Sequence, residues 1–284
     1  MDTLAAVLRT ATTGLKGSDS PTLDAELLLC AVLGKDRGYL RSHPEATLDA
    51  IQAARYAELT AARARGEPIA YLTGKREFWS MELKITPATL IPRPETELLV
   101  EQALDLIPPT ADWEILDLGT GSGAIALALA KERPRCRIQA TDFSAEALAV
   151  AADNAKQLGL SNIAFLQGDW YTPVSGRHFS LVVSNPPYIG LSDPHLTQGD
   201  LRFEPSQALA SGADGLDDIR RIVAGAPVHL QDGGTLMLEH GFEQGAQVRG
   251  LLQAAGLVLT RSVRDFSGHE RISMGDWANP RATR

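Results

Sequence analysis

The segment from Asn185 to Tyr188 combines residue types that could hold a planar amino group. It follows the apolar run 181–183, which predicts a buried parallel strand that ends just before Asn185. Open α/β sheets bind their ligands at the carboxyl ends of such strands. Pro186 and Pro187 have a fixed φ and no backbone N–H, so the backbone is stiff and offers carbonyl acceptors. We predict that Asn185 Oδ1 and the Pro186 carbonyl hold a planar –NH2 group by both hydrogens and turn its nitrogen toward an electrophile.

Two simpler interpretations remain open for this segment. Asn-Pro is also common in ordinary turns, so the segment could be a proline-rich turn after a strand. Tyr188 could pack against the aliphatic stem of a substrate, or it could be a core aromatic residue without a catalytic role.

A glycine-rich loop follows a second apolar strand, predicted over residues 114–118, and precedes a helical pattern that begins at Ala124. Strand, glycine turn and helix in this order are typical of a nucleotide-binding unit of a Rossmann-like fold. The next predicted strand ends in Asp142, at the spacing expected for a carboxylate that binds ribose hydroxyls. Asp142 could instead cap the helix that follows. The candidate cofactor-binding loop consists of Gly119, Thr120, Gly121, Ser122 and Gly123.

The spacing of these glycines favours S-adenosylmethionine over other nucleotide cofactors. The loop reads G-x-G-x-G rather than the G-x-G-x-x-G of dinucleotide folds, and no G-K-[ST] run indicates a P-loop. Asp117 lies two residues before Gly119, where a phosphate-binding loop would avoid negative charge. S-adenosylmethionine has no phosphate, and its ammonium and sulfonium groups favour a nearby carboxylate. Asp117 could alternatively be a capping or turn residue.

A third strand edge could complete the cofactor site. The predicted strand 163–168 leads into Asp169 and Trp170. A carboxylate can accept a hydrogen bond from an adenine amino group, and an indole can line a purine face. Core packing is the alternative role for Trp170.

The length and the net charge of the chain limit its number of domains and the class of substrate it can bind. At 284 residues the chain is long enough for one or two domains. Residues 1–75 hold nine basic and nine acidic residues, which leaves 18 basic and 26 acidic residues and the whole net charge of −8 for the remainder. Proteins that bind nucleic acid neutralise its phosphates with a basic surface. The acidic balance therefore favours a protein substrate, and we expect no nucleic-acid partner.

Cysteine and hydropathy patterns add three expectations. Cys30 and Cys136 lie far apart without metal-ligand spacing, which predicts reduced thiols and a cytoplasmic protein. The six histidines show no pairing that would indicate a metal site. No apolar run is long enough for a membrane span, and the first residues lack the pattern of a signal peptide.

Residues 1–75 predict helices, including one opened by Ser20-Pro21 and ended by Gly34 and another over about 48–65. Residues 76–90 predict a hairpin connector, with Phe78, Leu83 and Ile85 on one side.

Residues 91–284 alternate strands and helices, as in a parallel sheet with crossover helices. Residues 189–232 are predicted as a long, poorly patterned functional loop whose charges, Arg202, Glu204 and Asp214, lie on a solvated surface or contact the substrate. Strands are predicted near 114–118, 137–142, 163–168, 181–184, 235–239, 257–265 and 270–274, the last two as an antiparallel hairpin.

Together these motifs resemble class I S-adenosylmethionine-dependent methyltransferases that modify planar nitrogens, and more closely the protein-(glutamine-N5) methyltransferases that act on release factors. The Asn-Pro-Pro-Tyr motif also occurs in adenine-N6 DNA methyltransferases, whereas the segment Leu90–Glu97 is more specific. The resemblance covers nearly the whole chain. Besides the motifs already described it extends to residues 66–74, 90–97, 198–205, 238–241 and 265–275.

The resemblance implies a Rossmann-like, seven-stranded α/β methyltransferase domain preceded by a small helical domain and a β-hairpin. It also implies transfer of a methyl group from S-adenosylmethionine to the glutamine of the Gly-Gly-Gln motif in class 1 peptide chain release factors. Residues 1–75 would then recognise the protein substrate, and we expect a monomer. Arg93 and Glu95 could form part of the active-site wall, or they could be held in an ion pair that fixes the interdomain connector.

Three rival functions remain at this point. An adenine amino group presents the same planar –NH2 as a glutamine amide, so an adenine-N6 nucleic-acid methyltransferase is one alternative. A glutamine methyltransferase of a ribosomal protein is the second, because the catalytic motif does not distinguish protein substrates. The third is a non-catalytic cofactor-binding module that regulates a partner.

Overall fold

The computed structural model describes residues 2–278, which form two compact units. Among these residues, one unit comprises residues 2–75 and 198–203, and the other comprises residues 76–197 and 204–278. The helices are α1 (Leu4–Gly14), α2 (Pro21–Leu33), α3 (Arg37–Ser42), α4 (Ala50–Ala64), α5 (Ile69–Thr73), α6 (Thr96–Leu106), α7 (Ala124–Glu132), α8 (Ala145–Leu158), α9 (Asp217–Gly225) and α10 (Gly245–Ala254). The strands are β1 (Lys75–Phe78), β2 (Met81–Lys84), β3 (Glu114–Leu118), β4 (Arg137–Asp142), β5 (Ile163–Gln167), β6 (Phe179–Ser184), β7 (Leu230–Glu239), β8 (Leu257–Arg264) and β9 (Glu270–Trp277).

The first unit is helical, as predicted. Pro21 opens α2, where its missing N–H leaves no intrahelical hydrogen bond unmade, and Gly34 ends the helix in the left-handed conformation with a φ of 62°. Helix α4 begins with a capping box between Asp49 and Gln52. Leucines from these helices and their neighbours fill the core of the unit.

The short segment 198–203 belongs to the helical unit although it comes from the later part of the chain. Arg202 Nη2 donates a hydrogen bond of 2.8 Å to the Arg65 carbonyl, and Asp200 lies 3.5 Å from the Arg63 guanidinium. A Cβ on Gly66 would come within 1.9 Å of Arg202 Nη2, and the φ of Gly66 is 95°. Glycine at this position therefore leaves room for the arginine side chain and permits the backbone conformation.

The second unit contains a seven-stranded sheet with the order β5-β4-β3-β6-β7-β9-β8. The pairs from β5 to β7 are parallel, whereas β9 runs antiparallel to both β7 and β8. The predicted α/β class and the antiparallel edge hairpin are confirmed. Strands β6, β7 and β9 are longer than predicted, by two, five and three residues at one end.

A two-stranded sheet formed by β1 and β2 precedes this domain. Phe78, Leu83 and Ile85 are buried, as their predicted common side requires. The segment 189–232 departs from its prediction, because residues 217–225 form α9 rather than loop. Ile219, Ile222 and Val223 of α9 are buried at helical spacing.

Within residues 2–278, no helix combines the length and apolar character that a membrane span requires.

Asn154 of α8 connects three parts of the second unit and is 1% exposed. Its side chain accepts a hydrogen bond of 2.7 Å from the Lys84 amide and donates to the Lys84 and Ser122 carbonyls at 3.1 and 3.0 Å. Strand β2, the glycine-rich loop and α8 are thereby held together.

Replacing Asn154 by Ala should lower the free energy of unfolding by about 2–4 kcal/mol, because several backbone groups lose their partners. Chemical denaturation of the full chain measures this change. Asp153→Ala is the matched control, because Asp153 is the neighbouring residue and pairs with the exposed Lys84 ammonium. Equal stability of the Asn154→Ala variant and the control would contradict the structural role of Asn154.

Candidate active site

Parallel pairing of β3 with β6 brings the two main motifs to the same edge of the sheet. Leu118 at the end of β3 pairs with Ser184 at the end of β6. The Ser184 hydroxyl donates a hydrogen bond of 2.7 Å to the Leu118 carbonyl, and both residues are fully buried. The glycine-rich loop, from Gly119, and the segment from Asn185 therefore start side by side where the two strands end. The chain continues to β4 on one side of β3 and returns at β6 on the other, which is the topological position where open α/β sheets bind ligands.

The glycine-rich loop turns sharply between β3 and α7. Gly119, Gly121 and Gly123 all have positive φ, at 70°, 57° and 88°. A Cβ on Gly119 would lie 3.3 Å from the Trp170 ring, so the loop passes close to the indole. Helix α7 starts after Gly123 without a side-chain cap, which leaves N–H groups of its first turn for a ligand.

Asp117 is a buried carboxylate with one orphan oxygen. Its Oδ2 accepts a hydrogen bond of 2.7 Å from the Thr120 hydroxyl. Among residues 2–278, no group reaches Asp117 Oδ1 with hydrogen-bonding geometry. Burial raises the pKa of Asp117 to about 7, and the Thr120 hydroxyl and the Ala126 amide oppose this shift only in part. The Thr120 hydroxyl of the turn and the Ala126 amide in the first turn of α7 both act on this carboxylate, so the turn or capping role of Asp117 stays a prediction beside its role toward a cation.

Asp142 holds the glycine-rich loop from the neighbouring strand β4. Its Oδ2 accepts from the Gly121 amide at 2.8 Å, and its Oδ1 accepts from the Ser144 amide at 2.9 Å. Burial raises the pKa of Asp142. The cap of α8 is Ser144, whose side chain accepts from the Ala147 amide. Asp142 therefore supports both the loop and the start of the helix, and it retains lone pairs for a ligand.

Asp169 and Trp170 occupy different surroundings. The Asp169 carboxylate forms an ion pair with Arg221 of α9, and both side chains are about half exposed. Trp170 packs against the core around β3 and β6 while its ring lies over Gly119. Trp170 thus both packs in the core and contacts the glycine-rich loop.

The Asn185 carboxamide points its nitrogen into the protein. Asn185 Nδ2 donates a hydrogen bond of 3.0 Å to Thr96 Oγ1 at the start of α6. The oxygen of the same carboxamide lies on its other side. Pro186 is buried, whereas Asn185 and Pro187 are half-buried. The hydrogen bond to Thr96 thus fixes the nitrogen side of the Asn185 carboxamide, whose oxygen belongs to the predicted acceptor pair.

Tyr188 has two sets of contacts. Its ring packs against the hydrophobic core, as the alternative interpretation expected. Its hydroxyl donates a 3.4 Å hydrogen bond to Oε1 of Glu239, the last residue of β7. Its carbonyl accepts a hydrogen bond of 3.0 Å from Gln244 Nε2.

The structure gives Arg93 a partner inside the same unit. Its guanidinium forms an ion pair with Glu204, whose side chain is fully buried and also accepts a hydrogen bond of 3.0 Å from the Ile91 amide. The expected surface position of Glu204 is therefore wrong. Glu95 is exposed at the N-cap of α6 and makes no side-chain capping bond. The geometry of Arg93 fits an ion pair that fixes the connector.

Two residues near Asn185 were not selected from the sequence. Thr96 and Glu239 are 4% and 1% exposed. Thr96 Oγ1 accepts from Asn185 Nδ2, and Glu239 Oε1 accepts from the Tyr188 hydroxyl. A carboxylate at the end of an apolar strand was the available signal for Glu239. Among the described residues, no group of three or more histidine, cysteine, aspartate or glutamate side chains could hold a metal ion.

Two family models match parts of this chain. Residues 6–74 match the family model described as the PrmC N-terminal domain, and residues 94–198 match the methyltransferase small domain. The fold is similar to the crystal structure of a methyltransferase from Pyrococcus furiosus, with a TM-score of 0.55 and 17% identity over 81% of this chain and 100% of that chain.

Curated relatives identify the family. A release factor glutamine methyltransferase of Pseudomonas aeruginosa is 51% identical over 265 residues, which cover 93% of this chain and 95% of the relative. A protein of the same name from Vibrio cholerae is 49% identical over 282 residues, or 98% of each chain. The resemblance inferred from the motifs is confirmed: this chain belongs to the release factor glutamine methyltransferase family and is a protein-(glutamine-N5) methyltransferase.

Proposed function

We propose that this enzyme transfers the methyl group of S-adenosylmethionine to the side-chain nitrogen of the glutamine in the Gly-Gly-Gln motif of class 1 peptide chain release factors. The observation that carries the proposal is the position of Asn185 and Pro186 beside the glycine-rich loop, at the carboxyl ends of paired strands. The family to which the chain belongs supports the choice of substrate.

The residues of the loop fit S-adenosylmethionine. The orphan Asp117 Oδ1 suits a cationic group and opposes a phosphate. Asp142 would hold ribose hydroxyls, and the loop from Gly119 to Gly123 would lie against the cofactor. Trp170, with Asp169 beside it, would line the adenine. The bound cofactor would supply an electrophilic methyl group.

Positioning is the main chemical task of the protein in this proposal. An amide nitrogen is a weak nucleophile because its lone pair is delocalised into the carbonyl group. Asn185 Oδ1 and the Pro186 carbonyl oxygen accept hydrogen bonds from the two N–H groups of the glutamine side chain. These bonds turn its nitrogen toward the methyl group. Alignment of this kind can lower a barrier by about 7–11 kcal/mol at most. The proton leaves the methylated nitrogen to water.

The remaining predicted residues have supporting roles. Pro187 stiffens the segment, and Tyr188 packs against the aliphatic part of the glutamine. Arg93 and Glu95 contribute to the wall of the substrate site, with Arg93 held by Glu204. Residues 1–75 form the substrate-recognition domain, residues 76–90 the connector and residues 91–284 the methyltransferase domain. The two free cysteines, Cys30 and Cys136, agree with a cytoplasmic enzyme.

Incubation of the enzyme with labelled S-adenosylmethionine and a purified class 1 release factor tests the proposed substrate. Mass spectrometry should place one methyl group on the glutamine of the Gly-Gly-Gln motif. A release factor with alanine in place of that glutamine is the matched control and should take up no label. Label that enters DNA or a ribosomal protein, but no release factor, would overturn the substrate assignment.

Asn185→Ala should reduce turnover by roughly 100-fold or more, as losses at preorganised polar groups do. The dissociation constant for the cofactor should change much less, because the carboxamide acts on the substrate amide. Single-turnover kinetics and equilibrium binding separate the two effects. Turnover close to that of the wild type would exclude Asn185 from the mechanism.

Cofactor binding should tighten as pH rises toward 7 and then level off. The buried Asp117 carboxyl has a pKa of about 7 in the free protein, so it is protonated at lower pH. A bound cation favours its ionised form, and binding below this pKa must therefore release a proton. Titration of the dissociation constant between about pH 5.5 and about pH 7.5 measures the effect.

Asp117→Asn is the matched control for this pH dependence, because it keeps the size of the side chain and removes the titrating group. Its affinity should be weaker and should vary less with pH. If the affinity of the wild type for the cofactor stayed constant over the same pH range, this result would contradict the cation-binding role of Asp117.

A further inference from the structure

Gln244 holds three backbone groups that come from separate segments of the methyltransferase domain. Its Nε2 donates hydrogen bonds of 3.0 Å to the Tyr188 carbonyl and 3.1 Å to the Asp214 carbonyl. Its Oε1 accepts a hydrogen bond of 2.9 Å from the Gly241 amide. A primary amide is the uncharged side-chain group that supplies two N–H donors and an acceptor oxygen at once. Because the two carbonyls need donors and the amide needs an acceptor, the Gln244 carboxamide has a single orientation here.

The residues on either side of this contact are themselves fixed. Gln244 directly precedes α10, and Val248 of that helix is fully buried in the core around the sheet. The Gln244 side chain makes no capping bond to α10 and reaches the two carbonyls instead. The Asp214 carboxylate accepts a hydrogen bond of 3.1 Å from the Leu216 amide, just before α9. Gln244 therefore ties the Tyr188 carbonyl to the segments that begin α9 and α10.

Gly215 shows how closely these segments approach one another. A Cβ at this position would lie 2.1 Å from the Tyr188 carbonyl oxygen and 2.8 Å from Gln244 Nε2, and the φ of Gly215 is 77°. Glycine therefore leaves the space in which the hydrogen bond between them forms. The next residue after Tyr188 is held as well, because the Ile189 amide donates a hydrogen bond of 2.9 Å to the Leu209 carbonyl.

The two prolines link the Tyr188 carbonyl to the Pro186 carbonyl. Neither Pro186 nor Pro187 has a backbone N–H, so the segment cannot be anchored by amide donors at these residues. It is held at its ends instead: Asn185 is bonded through its carboxamide nitrogen, and the Tyr188 carbonyl is bonded to Gln244. The planar peptide bonds and the fixed φ of Pro187 leave few rotations between the two carbonyls. A shift of one carbonyl therefore moves the other.

We propose that Gln244 is a positioning residue that orients the Pro186 carbonyl toward the substrate amide by holding the Tyr188 carbonyl. The inference rests on the proposed function, in which the Pro186 carbonyl accepts from one N–H group of the glutamine. Gln244 acts through the backbone, so loss of its donors misplaces one acceptor of the substrate amide. Cofactor binding uses the glycine-rich loop and is left intact. The alignment is needed for methyl transfer, and its loss should therefore lower kcat rather than raise KM.

Gln244→Ala and Gln244→Glu, assayed with a release factor and saturating S-adenosylmethionine, test the inference. The first variant removes all three hydrogen bonds. The second keeps the size of the side chain and an acceptor for the Gly241 amide, but its carboxylate has no donor for the two carbonyls. We expect kcat to fall about tenfold or more in both variants, while the KM for the release factor and the cofactor dissociation constant change less than about twofold.

Each kcat is taken per cofactor-binding site, counted by equilibrium binding of S-adenosylmethionine, so a smaller folded fraction does not count as slower turnover. If Gln244→Ala does not fold, Gln244→Glu alone decides the test. A kcat within about twofold of the wild type in the folded variants would overturn the inference.

Asn162→Ala is the matched control, because Asn162 makes the same kind of contacts at the opposite edge of the sheet. It directly precedes β5, and its Nδ2 donates hydrogen bonds of 3.1 Å to the Ala130 and Cys136 carbonyls. The control should also lose stability in chemical denaturation, but its kcat should stay within about twofold of the wild type. An equal fall of kcat in Asn162→Ala would show a general effect of lost stability and would overturn the positioning role of Gln244.

Asn185→Ala in the same assay separates this inference from the proposed function. A loss of turnover in Asn185→Ala together with wild-type kinetics of the Gln244 variants would overturn only the positioning role of Gln244. Normal turnover of Asn185→Ala, or no methylation of glutamine by the wild type, would overturn the proposed function itself and the inference with it.

Discussion

Parallel pairing between β3 and β6 is the constraint on which the candidate active site depends. Because the side-chain pattern of a strand repeats every two residues, a slip of one residue would move Leu118 away from Ser184 and exchange the faces of the sheet on which the buried side chains pack. The Ser184 hydroxyl adds a cross-strand bond of 2.7 Å to the Leu118 carbonyl. This register fixes where the glycine-rich loop and the Asn-Pro-Pro-Tyr segment begin, and therefore how close the cofactor and the substrate amide can come.

Two buried carboxylates, on the strands that flank β6, show how this edge of the sheet differs from the rest of the core. Asp117 and Glu239 each keep one oxygen without a partner among residues 2–278, and burial raises both pKa values to about 7. Unsatisfied buried carboxylates weaken a fold. Their presence near the carboxyl ends of these strands agrees with the proposed binding of a ligand at this edge of the sheet. The site thus combines an apolar sheet, which sets positions, with a few charged groups that lower stability.

The sequence predicted the elements that carry strong local patterns. Strands β3 and β6 are short and mostly apolar, and each leads directly into the glycine or polar residues of a motif, which is how a buried parallel strand ends at a ligand site. Helix α9 was missed because its short apolar stripe lies between charged residues inside a long loop. The bond between Thr96 and Asn185 and the burial of Glu204 could not be predicted, since they depend on tertiary contacts between segments far apart in the chain.

The most direct test of the account is a crystal structure of the enzyme with S-adenosylhomocysteine and a release factor bound. We expect the glutamine side-chain nitrogen to lie about 2.8–3.2 Å from both Asn185 Oδ1 and the Pro186 carbonyl oxygen. A glutamine nitrogen beyond hydrogen-bonding distance of these two acceptors would contradict the account, because the orientation of the amide would then have another cause.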